Sequence, residues 1–201
     1  MAKPIRSPWS PAIGWLLLFC MLAYGINVQA AWQAAPKPKV LYVNSYDMDL
    51  GWSRDVLKGA LSVFNVDMDA NFKLDDSISP VKFRLHNMNT KKNKSEAYKR
   101  QAGQAAKALI ESWQPDLVIC VDDNASKYLI VPYFKDSKIP FVFCGVNWSA
   151  DEYGFPCSNV TGMIEVFPIQ EILNILGPHA KGNRLGFISR ENLSEKKTSN
   201  I

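Results

Sequence analysis

Apolar runs alternate along the chain with stretches in which apolar residues recur at helical spacing. The first run, over 39–46, predicts a buried strand that ends in a polar loop, and the spacing over 53–64 predicts a helix after it. Later runs predict strands at 81–85, 117–121, 140–144, 160–165 and 184–189, with helices over 93–113, 125–134 and from 168 to about 176. Strands alternating with helices indicate an open parallel α/β sheet with helices on both faces.

Three of these elements carry further signals. Apolar and charged residues alternate over 81–85, which predicts an edge strand, whereas the fully apolar run at 117–121 predicts a central one. Asn93 with Glu96 three residues later predicts a capping box at the start of the second long helix. The polar, acidic stretch from 67 to 79 predicts a loop.

The first thirty residues have the pattern of a secretory signal peptide. Lys3 and Arg6 precede an apolar run over 12–24, and Val28-Gln-Ala30 offers small residues for cleavage after Ala30. The alternative is an uncleaved membrane anchor, for which the run is short. Residues 31–38, with two prolines, predict an extended lead-in. The mature chain is therefore expected in the periplasm or another extracytoplasmic compartment.

Composition and charge exclude some classes of protein. Apolar residues make up 47% of the 201 residues and charged residues 21%, so the chain can bury a core. The net charge is +4, of which Lys3 and Arg6 contribute +2, and the remaining +2 is too small to indicate a nucleic-acid partner. The basic run at 91–94 predicts a solvated loop.

The cysteines and histidines give no metal or catalytic signature. Three cysteines follow the predicted signal peptide: Cys120 is expected to be a buried small hydrophobe, and Cys144 with Cys157 is a possible disulfide in an oxidising compartment. No cysteine–histidine cluster, phosphate-binding glycine loop or Gly-x-Ser-x-Gly motif is present. We therefore expect no metal, no cofactor, no catalytic residues and no enzymatic activity.

Polar side chains follow three of the predicted strands, and ligands of open α/β sheets bind outside the carboxyl ends of the strands. The candidate ligand-binding residues are Asn44, Ser45, Tyr46, Trp52, Asp122, Asp123, Asn124, Gly145, Asn147 and Glu165. This mixture suits a small polar ligand, and helix N-termini beside aspartates would suit a zwitterion such as an amino acid.

Structural roles are open for several of these residues. Asp123 or Asn124 is expected to cap the third helix. Asn44 and Asn147 could serve only to satisfy loop backbone groups, and Trp52 could belong to the core. Gly145 could be required by the turn alone.

Five segments resemble a known family: Val40-Leu-Tyr-Val-Asn-Ser-Tyr46, 51–59, Asp122-Asp-Asn-Ala125, Phe143-Cys-Gly-Val-Asn147 and Val160-Thr-Gly162 with Glu165. They are similar to the substrate-binding proteins of ABC transporters, which have the type I periplasmic binding fold and include tryptophan- and tyrosine-type binders. The resemblance covers about residues 38–195.

The resemblance implies a Rossmann-like first lobe over 39–166. Residues 167–201 would be a crossover helix and the start of a second lobe, truncated in this chain. It implies a protein, monomeric when full length, that captures a small-molecule ligand and delivers it to an ABC transporter membrane permease. The alternatives are a ligand-sensing extracytoplasmic domain of a signalling receptor and an α/β hydrolytic enzyme.

Overall fold

The computed structural model describes residues 36–182 together with Arg184 and Gly186. The signal peptide predicted at 1–30 and nearly all of the strand predicted at 184–189 lie outside these residues. The strands are β1 Lys39–Asn44, β2 Asp67–Met68, β3 Leu74–Asp75, β4 Lys82–Asn87, β5 Leu117–Val121, β6 Phe141–Asn147 and β7 Val160–Glu165. The helices are α1 Gly51–Phe64, α2 Glu96–Trp113, α3 from Asp123 to Phe134, and α4 Ile169–Leu176.

Five strands form one parallel sheet in the order β4-β1-β5-β6-β7. The apolar strand β5 lies at its centre and the alternating strand β4 at its edge, as the sequence predicts. Asn44 is aligned with Asn87 on one side and with Val121 on the other, and Val121 is aligned with Cys144. The carboxyl ends of β4, β1, β5 and β6 therefore lie side by side, so the loops that follow them share one edge of the sheet.

Helices cover both faces of the sheet. On one face Leu41 and Val43 belong to a core that includes Ala106 and Ile110 of α2 and much of α3. On the other face, alternate residues of β1 pack into a second core with Leu57 and Leu61 of α1. The predicted three-layer open α/β sheet is confirmed, because successive strand residues point to opposite faces and each face meets its own helices.

The start of α2 differs from the prediction. The N-cap is Ser95, whose Oγ accepts a hydrogen bond from the Tyr98 backbone N–H at 3.2 Å. Asn93 instead donates from its side chain to the Asn89 carbonyl. The helix therefore begins two residues later than the capping box at Asn93 predicts. On the same helix Ala102 is buried, whereas Ala105 is exposed.

The stretch after β5 forms a helix of mixed type. It begins with an α-helical turn at Asp123–Ala125, two residues before the predicted start, and continues as a π-helix over Ser126–Phe134. Pro132 lies inside it and has no N–H to donate, which favours a departure from regular α-helical bonding. The helix packs closely on α2, where a Cβ on Gly103 would lie 2.1 Å from the Tyr128 carbonyl oxygen.

The disulfide that the sequence left open between Cys144 and Cys157 is not formed. Both cysteines are free, as is Cys120, which is fully buried as expected. Cys144 packs against the core that contains α1, whereas Cys157 packs against the core on the opposite face. The two thiols therefore pack on opposite faces of the sheet, which their spacing in the sequence did not reveal.

The end of the described chain is more exposed than the sheet. No residue of α4 is buried, and Ile175 is 68% exposed. Within residues 36–182, no helix has both the length and the apolar character needed to cross a membrane.

Candidate ligand-binding cleft

A cleft of about 420 Å³ opens at the carboxyl edge of the sheet. It is bounded by the loops after β1, β4 and β5, the first turns of α2 and α3, and Tyr153. Four of the ten predicted residues line it: Tyr46, Asp122, Asp123 and Asn124. The other six lie at the same edge of the sheet or behind it, and the cleft also contains residues that were not predicted.

Asn44 and Ser45 are structural residues, because both are fully buried and internally bonded. Asn44 donates to Asn87 Oδ1 at 3.0 Å, and its own Oδ1 accepts from the Tyr46 N–H at 3.3 Å and from Ser53 Oγ at 3.4 Å. Ser45 Oγ donates to the Val121 carbonyl at 2.6 Å. These bonds join β1 to the strands on both of its sides.

Ser45 also acts as a helix cap for α3. Its Oγ accepts from the backbone N–H of Ala125 at 2.8 Å, satisfying a donor in the first turn of α3. Neither Asp123 nor Asn124 caps this helix, so that prediction is wrong. The side chain of Asn124 reaches across the cleft and donates to Thr90 Oγ1 at 2.9 Å. A serine eighty residues away in sequence therefore replaces the local cap, which sequence spacing could not indicate.

Tyr46, Trp52 and Gly145 form one packed unit at the edge of the cleft. The rings of Tyr46 and Trp52 meet edge to face with centroids 6.4 Å apart. Gly145 has φ +71°, and a Cβ there would lie 2.7 Å from the Trp52 ring. Only Tyr46 of the three lines the cleft. Trp52 supports its ring from behind, and Gly145 leaves room for the indole at a β-bulge in β6.

Asp122 is the most perturbed acid of the cleft. It is 6% exposed and has φ +73°, a left-handed backbone conformation that is uncommon outside glycine. Burial raises the pKa of its carboxyl group to about 7, and the charge of Asp123 adds to the increase. The Tyr46 hydroxyl donates to this carboxyl group and, with the backbone N–H groups of Asp123 and Asn124, opposes the shift. Near neutral pH the floor of the cleft therefore holds a carboxyl group that can gain or lose a proton.

Asp123 borders the cleft, but both of its oxygens are already bonded within the protein. Oδ2 accepts from Asn147 Nδ2 at 2.8 Å and from the Asn147 backbone N–H at 3.3 Å. Oδ1 accepts from the Tyr153 hydroxyl at 2.7 Å. Burial, followed by the hydrogen bond to Asp123, raises the pKa of Tyr153. Asp123 thus ties the loop after β6 to the start of α3, and Asn147 serves this link rather than lining the cleft.

Glu165 lies near the cleft without lining it. Its backbone carbonyl accepts from the Trp148 N–H at 2.9 Å, and its side chain is half-buried at the end of β7. The negative charge of Glu165 contributes, after burial, to the raised pKa of both Tyr46 and Cys144. Glu165 therefore influences the ionisation of Tyr46 and Cys144 through its charge, without lining the cleft.

Sequence reasoning missed the loop after β4 and the outer faces of α2 and α3. The unpredicted lining residues are Thr90, Lys91, Lys94, Glu96, Lys99, Lys127, Tyr128 and Tyr153. One signal could have found the first three: β4 is also a parallel strand, so its carboxyl end lies at the same edge as the others. The basic run at 91–94 predicts a solvated loop, whereas Lys91 and Lys94 line the cleft.

The described residues contain no group of three or more histidine, cysteine, aspartate or glutamate side chains arranged to hold a metal ion. The polar groups of the cleft are hydroxyls, carboxylates, an amide and ammonium groups. They suit hydrogen-bonded recognition of a small solute.

No protein-family model and no curated protein sequence matches the chain. Three solved structures are similar to it, each with a TM-score of 0.46. A conserved domain protein from Vibrio cholerae is 16% identical, over 70% of this chain and 43% of its own. A ligand-free, open substrate-binding protein with adhesive properties from Clostridium difficile has the same identity and coverage. An ABC domain in complex with L-Trp from Streptococcus pneumonia is 18% identical, over 71% of this chain and 44% of its own. The chain thus spans less than half the length of each.

Proposed function

We propose that this chain is an extracytoplasmic solute-binding protein that captures a small polar ligand, amino-acid-like or another small organic solute, and delivers it to an ABC transporter permease. The observation that carries the proposal is the convergence of Tyr46, Thr90 and Asp122, from three different strand ends, on one cleft. Convergence of strand-end loops on a concave site is how open α/β sheets assemble ligand sites.

The dimensions and chemistry of the cleft support a small ligand. Its volume of about 420 Å³ is within the range of small-molecule sites, roughly 300–1,000 Å³. Tyr46 and Tyr128 offer aromatic faces, and Thr90 and Asn124 are polar groups held in place by a hydrogen bond to each other. A few fixed polar groups beside aromatic walls can orient a solute with a polar head and an apolar part.

The electrostatics of the cleft support recognition of a molecule with two polar ends. Asp122 on the floor can accept a hydrogen bond from an ammonium or hydroxyl group, and the lysines at the opening can attract a carboxylate. An amino acid carries both groups. The proposed role is stoichiometric capture and release without chemical change.

The proposal is tested by isothermal titration of the full chain with a panel of amino acids and small organic solutes. We expect one solute class to bind with 1:1 stoichiometry and to be recovered unchanged. Asp122→Ala should weaken that binding about tenfold or more, because it removes the polar floor. Asp55→Ala, on the exposed side of α1, is the matched control and should leave affinity within about twofold.

Delivery to a permease is tested separately in cells. Deleting the gene should abolish high-affinity uptake of the radiolabelled solute identified by titration, and the wild-type gene should restore it. Absence of binding across the panel would contradict the capture role. Conversion of a bound solute to product would favour an enzyme instead.

A further inference from the structure

Lysines are the most numerous charged residues in the cleft. Four line it, together with Glu96, Asp122 and Asp123. Lys99 is already paired, since its Nζ lies 3.2 Å from Glu96, whose carboxylate also accepts from the Tyr128 hydroxyl at 2.7 Å. The remaining three, Lys91, Lys94 and Lys127, are exposed and form what we call the lysine rim. Among the described residues, no carboxylate lies within ion-pair distance of these three ammonium groups.

The loop that bears Lys91 and Lys94 is hydrogen-bonded to the end of β1. It begins with three successive N–H groups that donate to carbonyls at the end of β1: Met88 to Asn44, Asn89 to Tyr46 and Thr90 to Ser45, at 2.9 to 3.0 Å. Thr90 Oγ1 adds a second bond to the Ser45 carbonyl at 2.6 Å. Because the loop is fixed to the central sheet, little ordering of the backbone is needed when a ligand binds.

Two of the rim side chains lie over the aromatic walls of the cleft. Lys91 Nζ is 4.8 Å from the ring centroid of Tyr46, and Lys127 Nζ is 5.4 Å from that of Tyr128. Cation–π contacts of this length hold an ammonium group near the ring without neutralising it. Both ammonium groups therefore keep their charge, and Lys127 also interacts electrostatically with Glu96.

Lys92, in the same basic run, is not part of the lysine rim. Its Nζ pairs with Asp49 and lies 3.6 Å from Asp47, and the residue does not line the cleft. The same short run thus contains one neutralised lysine and two that face the cleft without an acidic partner.

The rim and the floor of the cleft differ in sign. Asp122 is 6% exposed and accepts from the Tyr46 hydroxyl, whereas the three lysines of the rim are exposed. We infer that the ligand carries an oxyanion, a carboxylate or a phosphate, that binds at Lys91, Lys94 and Lys127 while its uncharged or cationic end faces Asp122. This inference rests on the proposed solute-binding function and adds the chemical class of the ligand.

The test is titration of the full chain with sodium phosphate and with sodium succinate at low ionic strength, with sodium chloride as reference. The variants are Lys91→Gln/Lys94→Gln and the matched control Lys92→Gln, which removes a charge from the same loop. We expect at least one of the two oxyanions to bind the wild type and to bind the double variant about tenfold more weakly, with the control within about twofold. Preference between the two probes distinguishes a phosphate from a carboxylate. Binding should weaken as chloride is added, because exposed charges are screened.

Three results would overturn the inference. Equal anion affinity in the double variant and the control would mean that the rim is not the binding site. A neutral solute that binds the wild type while neither oxyanion does would exclude the anionic class and leave the solute-binding function standing. No binding by any solute would end both proposals. Thermal unfolding of each variant without anion verifies that a loss of affinity is not a loss of fold.

Discussion

Two groups of polar residues share the carboxyl edge of the sheet: in one the side chains join the loops to one another, and in the other charged or titratable groups face the cleft. The first, which we call the strand-end network, consists of Asn44, Ser45, Asn87, Asp123 and Asn147, whose side chains bond to one another, to Tyr153 or to the backbone. The second comprises the cleft residues Tyr46 and Asp122 with the lysine rim. Hydrogen bonds between loops mark the residues that hold this edge together, whereas an unpaired charge or a raised pKa marks those that can interact with a ligand.

Asp122 and Asp123 show the difference between neighbouring residues. Asp123 has three donors on its two oxygens and positions the loop after β6. Asp122 is more deeply buried, and burial raises its pKa to about 7. One carboxylate therefore stabilises the fold, whereas the other makes the fold less stable when it is ionised.

The largest expected effect is the pH dependence caused by Asp122. Its pKa is about 7 in the folded protein and 3.8 without the fold, so between these pH values the folded state binds a proton that the unfolded state has lost. Stability from this residue is therefore complete below about pH 4 and falls as pH rises towards 7, by at most about 4 kcal/mol. Asp122→Asn cannot ionise, so its stability relative to wild type should rise between pH 5 and pH 8, measured by urea unfolding. A constant difference would contradict the assignment.

The next effect is the loss of the strand-end network at Asp123. Asp123→Ala leaves the Tyr153 hydroxyl and the Asn147 amide without their acceptor, and should lower the free energy of unfolding by about 3 kcal/mol. Asp55→Ala, an exposed aspartate of α1, should change it by about 0.5 kcal/mol or less. If urea unfolding gave similar values for the two variants, the distinction between network and cleft would fail.

A smaller effect is expected at the support of Tyr46. Gly145→Ala places a methyl group against the Trp52 ring at a backbone with φ +71°, and should cost about 2 kcal/mol. Gly59→Ala is the matched control, since it lies in α1 with no atom within 4 Å, and should stabilise the protein by about 0.5–1 kcal/mol. Thermal unfolding of both variants measures the difference in sign.

The smallest effect on stability is expected at the lysine rim. Lys91→Gln/Lys94→Gln changes two exposed side chains that have no ion-pair partner among the described residues, so the free energy of unfolding should stay within about 0.5 kcal/mol of wild type. The same variant should lose anion affinity. A large loss of stability would place these lysines in the network rather than in the cleft.

Much of the sheet is predictable from sequence because it depends on local patterns. The fully apolar run at 117–121 is the central strand, and the alternating run after 81 is the edge strand. The candidate site is less predictable. Four predicted residues line the cleft, while Asn44, Ser45, Trp52, Gly145, Asn147 and Glu165 support it or lie beside it. The helix cap from Ser45, the separation of Cys144 from Cys157 and the cleft-facing lysines depend on contacts between distant segments.

The sequence by itself determines which segments become strands and helices, because burial requires apolar residues at the period of each element. It also determines that polar loops follow the strands. Only the tertiary structure decides which of those polar groups form hydrogen bonds with one another and which are available to a ligand. The physical reason is that a hydrogen bond or an ion pair depends on the position of the partner in space, and for Ser45, Asp123 and Lys92 that partner lies on another segment of the chain.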